Sequence, residues 1–212
     1  MTITSALLSF AVVAALLTIT PGLDSALVLR SALVQGRRLA IATSLGIITG
    51  AFVWGVAAAV GLAALLKASE FAFMVLRWVG AAYMIYLGAR MLWTRVIRPR
   101  DDAAATSAGR LAVGWWGSWS KGLFTNLLNP KVGAFYIAVL PQFLVPGTND
   151  VLMGVLLAGV HGIETAFWFA LIIFGAHSVR RWLDRPVVAR TIDGVTGTAL
   201  VGFGVALAVS HD

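Results

Sequence analysis

The chain has 212 residues, 59% of them hydrophobic and only 12% charged, with a mean hydropathy of +0.89; ordinary globular domains carry about 25% charge. This is the composition of an integral membrane protein with one domain, because no polar stretch is long enough to fold separately. The net charge of +7 falls in short gaps between apolar runs, which argues against nucleic-acid binding, and the lack of cysteine excludes disulfides, thiolate metal sites and thiol redox chemistry.

The first apolar run, about residues 3–29, has no Lys or Arg before it and is too long for a secretory signal, so it reads as a retained helix. Thr20-Pro21-Gly22-Leu23-Asp24 interrupts it, and Pro-Gly is a strong local breaker. A basic loop with Arg30, Arg37 and Arg38 follows. The second helix, about 41–66, places Gly46 and Gly50 at the spacing that lets another backbone approach closely. A short turn from Lys67 to Glu70 leads into the third, about 71–93, with Gly80 and Gly88 as packing contacts. Residues 94–110 read as a loop rich in arginine, carrying Arg95, Arg98, Arg100 and Arg110 against Asp101 and Asp102.

Trp115, Trp116 and Trp119 suit the headgroup level of a membrane interface. Helix four, about 121–143, is broken at Asn129-Pro130. Helix five, about 151–176, carries His161 and Glu164 and is followed by Arg180, Arg181, Arg185 and Arg190. Helix six, about 192–209, is rich in small residues. Lys and Arg concentrate in the first, third and fifth gaps, which makes those gaps cytoplasmic and both termini periplasmic in a bacterial inner membrane.

Six helices split into two sets of three, each opening on a proline-broken helix. An odd number of crossings per half inverts the second half, so the expected fold is an all-α membrane protein with six spans in an inverted 3+3 repeat, helices 1 and 4 broken. Depth agrees. Arg30 lies nine residues after Pro21 and Lys121 nine before Pro130, so both prolines stand roughly 14 Å from the cytoplasmic edge of a roughly 30 Å core. Mirror-related sites share a depth only at the midplane. Two broken ends facing each other there offer amide N–H groups to a carboxylate and carbonyls to an ammonium, so the expected guest is a zwitterion.

Asp24 can carry a proton or bind a substrate ammonium; its blander role is a helix N-cap for the segment from Ser25 to Leu29. Lys131 can bind a substrate carboxylate or pair with Asp24, switchably or permanently. Asn126 and Asn129 can touch substrate or satisfy the backbone exposed by Pro130. His161 and Glu164, three residues apart, share a helix face and form a candidate proton relay. One His-x-x-Glu pair is weak support for a metal site. Tyr83, Tyr86 and Tyr136 line a cavity or pack the core.

The motifs Thr20-Pro21-Gly22-Leu23-Asp24 and Asn126-Leu-Leu-Asn129-Pro130-Lys131-Val-Gly133-Ala-Phe-Tyr136, the second continued by Leu140-Pro141-Gln142-Phe143, resemble the LysE/RhtB family of bacterial amino-acid exporters. The likeness covers nearly the whole chain, and the second motif is the more specific. The chain departs from the family pattern at Leu23, where a second proline is usual. The resemblance implies efflux of amino acids or their analogues, driven by the proton gradient, by a homodimer. It carries over Pro21, Gly22, Asp24, Asn126, Asn129, Pro130 and Lys131 as substrate-binding positions.

The expected protein is therefore a secondary transporter that exports small, neutral amino acids by alternating access. Asp24, His161 and Glu164 are its proton-coupling candidates; it needs no catalytic residue, cofactor or resident metal, and its partners are amino acid, proton and lipid. Neutral cargo is expected because a cationic one calls for extra buried acids, and only Glu164 stands beside Asp24. The competing readings are an exporter of metal or other inorganic ions and a non-transport membrane subunit. A membrane enzyme is disfavoured, since the chain has no Gly-rich phosphate loop and no dense cluster of metal ligands.

Overall fold

Two prolines set the architecture. A computed structural model of the chain describes residues 2–68, 70–93, 114–183 and 185–209, and every regular element among them is helical. α1 (Ile3–Ile19) opens on a capping box in which Thr2 accepts from the Ser5 amide and the Ser5 hydroxyl accepts from the Thr2 amide. It ends where Pro21 has no N–H for the Leu17 carbonyl; Thr20 N–H to Leu16 at 3.2 Å is the last main-chain bond. The chain restarts as α2 (Leu23–Val34) at 55° to α1. The expected first helix of residues 3–29 is thus two helices, and the second runs on to Val34 because nothing interrupts it before Gln35 and Gly36, whose φ of +89° makes the turn.

α3 (Arg37–Ala68) and α4 (Glu70–Met91) match the second and third expected helices, with Lys67 and Ala68 of the expected turn drawn into α3 and Glu70 into α4. The arginine-rich segment 94–110 lies outside the described residues. α5 (Trp115–Leu127) begins six residues before the expected Lys121, capped by Gly114, so the tryptophan cluster is helical. Pro130 breaks this span as expected. α6 (Pro130–Val139) leaves α5 at 55° and tightens into a 3-10 turn at Leu140–Phe143. α7 (Asp150–Phe174) starts under an Asn149 cap that accepts from the Leu152 amide at 3.0 Å. α8 (Ala176–Leu183) and α9 (Pro186–Val209) follow. α9 starts before the expected residue 192, because proline is well placed in a helix's first turn, and Arg190 is therefore helical.

α3 is the central post, touching α2, α4, α5, α6 and α7. Its glycines allow this. A Cβ at Gly46 would stand 2.8 Å from the Leu123 amide, and one at Gly50 would stand 2.7 Å from Asn126 Oδ1. Facing them, Gly122 on α5 abuts the Thr43 carbonyl. Gly88 on α4 and Gly197 on α9 meet in the same way, a Cβ at Gly197 falling 2.9 Å from the Gly88 carbonyl. One apolar core gathers Phe10, Phe135, Tyr136, Leu140, Met153 and Leu157; a second gathers Val28, Ile47, Phe169 and Ile172. Phe10 stacks against Phe135 and Phe143 with ring centroids 5.6 and 5.5 Å apart.

Large apolar side chains also point outward, among them Leu8, Val12, Ile163 and Phe167, as suits a surface solvated by lipid. Among the described residues two helices, Arg37–Gly61 within α3 and α7, are long and apolar enough to cross a membrane, and there are up to four such spans if each bent pair counts as one. α4 and α9 stand where the third and sixth spans are expected.

Candidate functional site

A continuous helix through residue 21 would give the Leu17 carbonyl the N–H of residue 21, and proline has none. The Thr20 carbonyl is freed as well, because α2 does not begin until Leu23. Lys131 supplies both. Reaching across from α6, its Nζ donates to the Leu17 carbonyl at 3.0 Å and to the Thr20 carbonyl at 3.1 Å. Gly22 lies beside this reach: a Cβ there would stand 3.7 Å from Nζ, an ordinary contact.

The second break closes on itself. Pro130 cannot serve the Asn126 carbonyl, so the Asn129 amide donates to it at 3.0 Å, in the tighter three-residue pattern. The Asn129 side chain caps α6 by accepting from the Lys131 amide at 3.1 Å. The Asn126 side chain is left to reach the other half, donating through Nδ2 to Asp24 Oδ2 at 2.9 Å. A carboxylate only accepts, so the amide oxygen of Asn126 is the end facing away. Asp24 is not the cap of α2, which is Gly22; it sits in that helix's first turn, where the dipole favours a negative charge.

The two breaks meet at a cavity of about 40 Å³, room for about three water molecules. Gly22, Asp24, Asn126, Asn129 and Lys131 line it, with Thr18, Thr20, Ser25, His161 and Thr165. Of the sequence-derived substrate positions, Pro21 and Pro130 are not in the lining; they shape it by ending α1 and starting α6. Asp24 Oδ1, Asn126 Oδ1, Thr18 Oγ1 and Thr165 Oγ1 are buried without a hydrogen-bond partner among the described residues. His161 is 5% exposed, and its Nδ1 shares a hydrogen bond of 2.8 Å with the Tyr136 hydroxyl. Glu164 is not in the lining, although one of its oxygens is buried without a partner. Among the described residues no three His, Cys, Asp or Glu side chains gather as metal ligands.

Behind the second break lies a larger groove of about 340 Å³, almost wholly apolar, bounded by Trp54, Tyr83, Leu128, Pro130, Gly133 and Ile137. Asn129 borders both spaces.

The sequence of this helical, twice-broken chain matches the LysE type translocator family over residues 15–211. The chain belongs to that family. Among similar proteins, the uncharacterized membrane protein YrhP of Bacillus subtilis (strain 168) is 29% identical, over 96% of this chain and 99% of its own length. The leucine efflux protein of Enterobacter sp. (strain 638) is 27% identical, over 96% and 95%, and the threonine efflux protein of Salmonella typhi is 30% identical, over 91% and 92%. No solved structure matches. The named functions in this family are those of membrane efflux transporters rather than enzymes.

Several residues of the translocator's cavity were not singled out by sequence. Thr20 hydrogen-bonds Thr196 of α9 through their hydroxyls, and Ser25 accepts from the Trp168 indole at 3.4 Å. Thr165 was within reach of the argument, since it lies four residues after His161 on α7 and so closer to its face than Glu164 does. Thr20 stood out only as the first residue of the Pro21-Gly22 break, and nothing in the spelling of Ser25 marks it.

Proposed function

We propose that this translocator exports small, neutral amino acids or their analogues from the cytoplasm, coupled to inward proton flow. One observation carries the reading: Asp24, Asn126, Asn129 and Lys131, drawn from both broken helices, converge on a single cavity. The orphaned oxygen of Asp24 suits a substrate ammonium, and the first turn of α2, whose Gly22 cap has no side-chain bond, offers N–H groups to a carboxylate. Relatives that efflux leucine and threonine support neutral cargo.

A cavity of about 40 Å³ is smaller than an amino acid, so loading requires the two breaks to part. Alternating access supplies that motion: six spans in an inverted 3+3 repeat, with α4 and α9 as the third and sixth, rock about the site in a bacterial inner membrane. Both termini are periplasmic and the working unit is a homodimer. Asp24 and His161, which both line the cavity, are the primary proton carriers; Glu164, outside the lining, is the secondary one.

The test is efflux of a panel of labelled amino acids from loaded cells, with and without a protonophore. Export of neutral amino acids that the protonophore stops is the expected result. No efflux above that of cells lacking the protein, across the panel, removes the proposal.

A further inference from the structure

We propose that the first break is a built-in cation site, filled in the native protein by the Lys131 ammonium, and that Na+ binds there once the lysine side chain is removed. The inference goes beyond the export reading and does not depend on it.

The oxygens come first. Pro21 strips the Leu17 carbonyl of its helical partner, and the restart at Leu23 does the same for Thr20. Both carbonyls end α1, where the helix's aligned peptide dipoles concentrate partial negative charge. The Asp24 carboxylate lines the same cavity with Oδ1 unpartnered, and so does the Thr18 hydroxyl. Two carbonyls, one carboxylate and one hydroxyl make an all-oxygen set, which prefers a hard cation. With a single carboxylate, the set matches a single positive charge.

The occupant comes second. Nζ sits 3.0 and 3.1 Å from the two carbonyls, contacts typical of an ammonium donor. Unwound carbonyls at half-helix ends commonly coordinate Na+ in transporters; here a side chain from the opposite half supplies the charge. The Lys131 ammonium already occupies both carbonyls and the place between them, so the native protein takes up no Na+ at this place. Na+ would satisfy the carbonyls of the variant, but it would not tie α1 to α6.

The experiment follows thermal unfolding of the purified full chain in detergent by tryptophan fluorescence, in NaCl or in choline chloride at equal ionic strength. Wild type should have the same Tm in both. Lys131→Ala should have a lower Tm in choline chloride and recover roughly 3 °C, saturably, in NaCl. Adding Asp24→Asn should abolish that recovery. Equal Tm values for Lys131→Ala in the two salts, or an equal Na+ response in wild type, would overturn the proposal. If the alanine variant does not fold, Lys131→Ser is read by the same criteria; failure of both variants in both salts also overturns it, because Na+ should stand in for the missing charge. A protein inactive in export but Na+-responsive in this way would sustain the cation site while removing the export reading.

Discussion

The two breaks share a proline, a bend of 55° and, by the sequence argument, a depth, yet they are held open by different means. The second meets its main-chain needs locally. Asn129 caps α6 with its side chain and serves the Asn126 carbonyl with its amide. The first has Gly22 as its cap, without a side-chain bond, and depends on Lys131 from the other half. A self-sufficient break is local structure. A dependent one is a coupling, because α1 keeps its geometry only while α6 stays within reach of a lysine side chain.

Four substitutions would sharpen or undo that contrast. Lys131→Ala should have the largest effect. In Na+-free buffer it leaves two buried carbonyls without donors, a destabilisation of about 1–3 kcal/mol for each that denaturant unfolding reads, and export should drop below roughly a tenth of wild type in efflux assays while the protein still inserts. Asp24→Asn should also abolish export. Because the new amide oxygen can still accept from Asn126, the Tm should stay close to wild type, and a large drop in Tm would recast Asp24 as a structural group. Asn129→Ala removes a helix cap and should cost about 1 kcal/mol, with local hydrogen exchange rising at the start of α6 and not at the end of α1. Exchange rising equally at both would show that the second break is not autonomous. Gly22→Ala should be the mildest. Its φ of −157° is open to any residue and its Cβ would meet Lys131 at ordinary contact distance, so stability should change by less than about 0.5 kcal/mol.

Both breaks were legible in the letters, because a proline inside an apolar run advertises a missing N–H. So was the grouping of Asp24, Asn126, Asn129 and Lys131, since charges are too costly in lipid to be scattered. What the letters hid was the partner of Lys131. Its ammonium contacts main-chain oxygens, and the Leu17 and Thr20 carbonyls look in sequence like any others; only the position of Pro21 four residues after Leu17 hinted at one of them. Of His161 and Glu164, expected to share one face, only His161 reaches the lining, for a geometric reason. Three residues turn an α-helix by about 300° and four by about 400°, so in this setting Thr165, not Glu164, follows His161 into the lining. Helix limits slipped where neighbouring chemistry extended them, at Gly114 and Pro186.

Gly50 has no side chain and no place in the lining, yet it lets α3 lie so close that a Cβ there would stand 2.7 Å from Asn126 Oδ1 and 2.9 Å from its Cβ. One added methyl would therefore shove the amide that orients Asp24 while leaving every group of the lining chemically unaltered. If cargo binds there as proposed, its affinity can be retuned from behind, by a residue that any survey of contacts with the transported molecule would pass over.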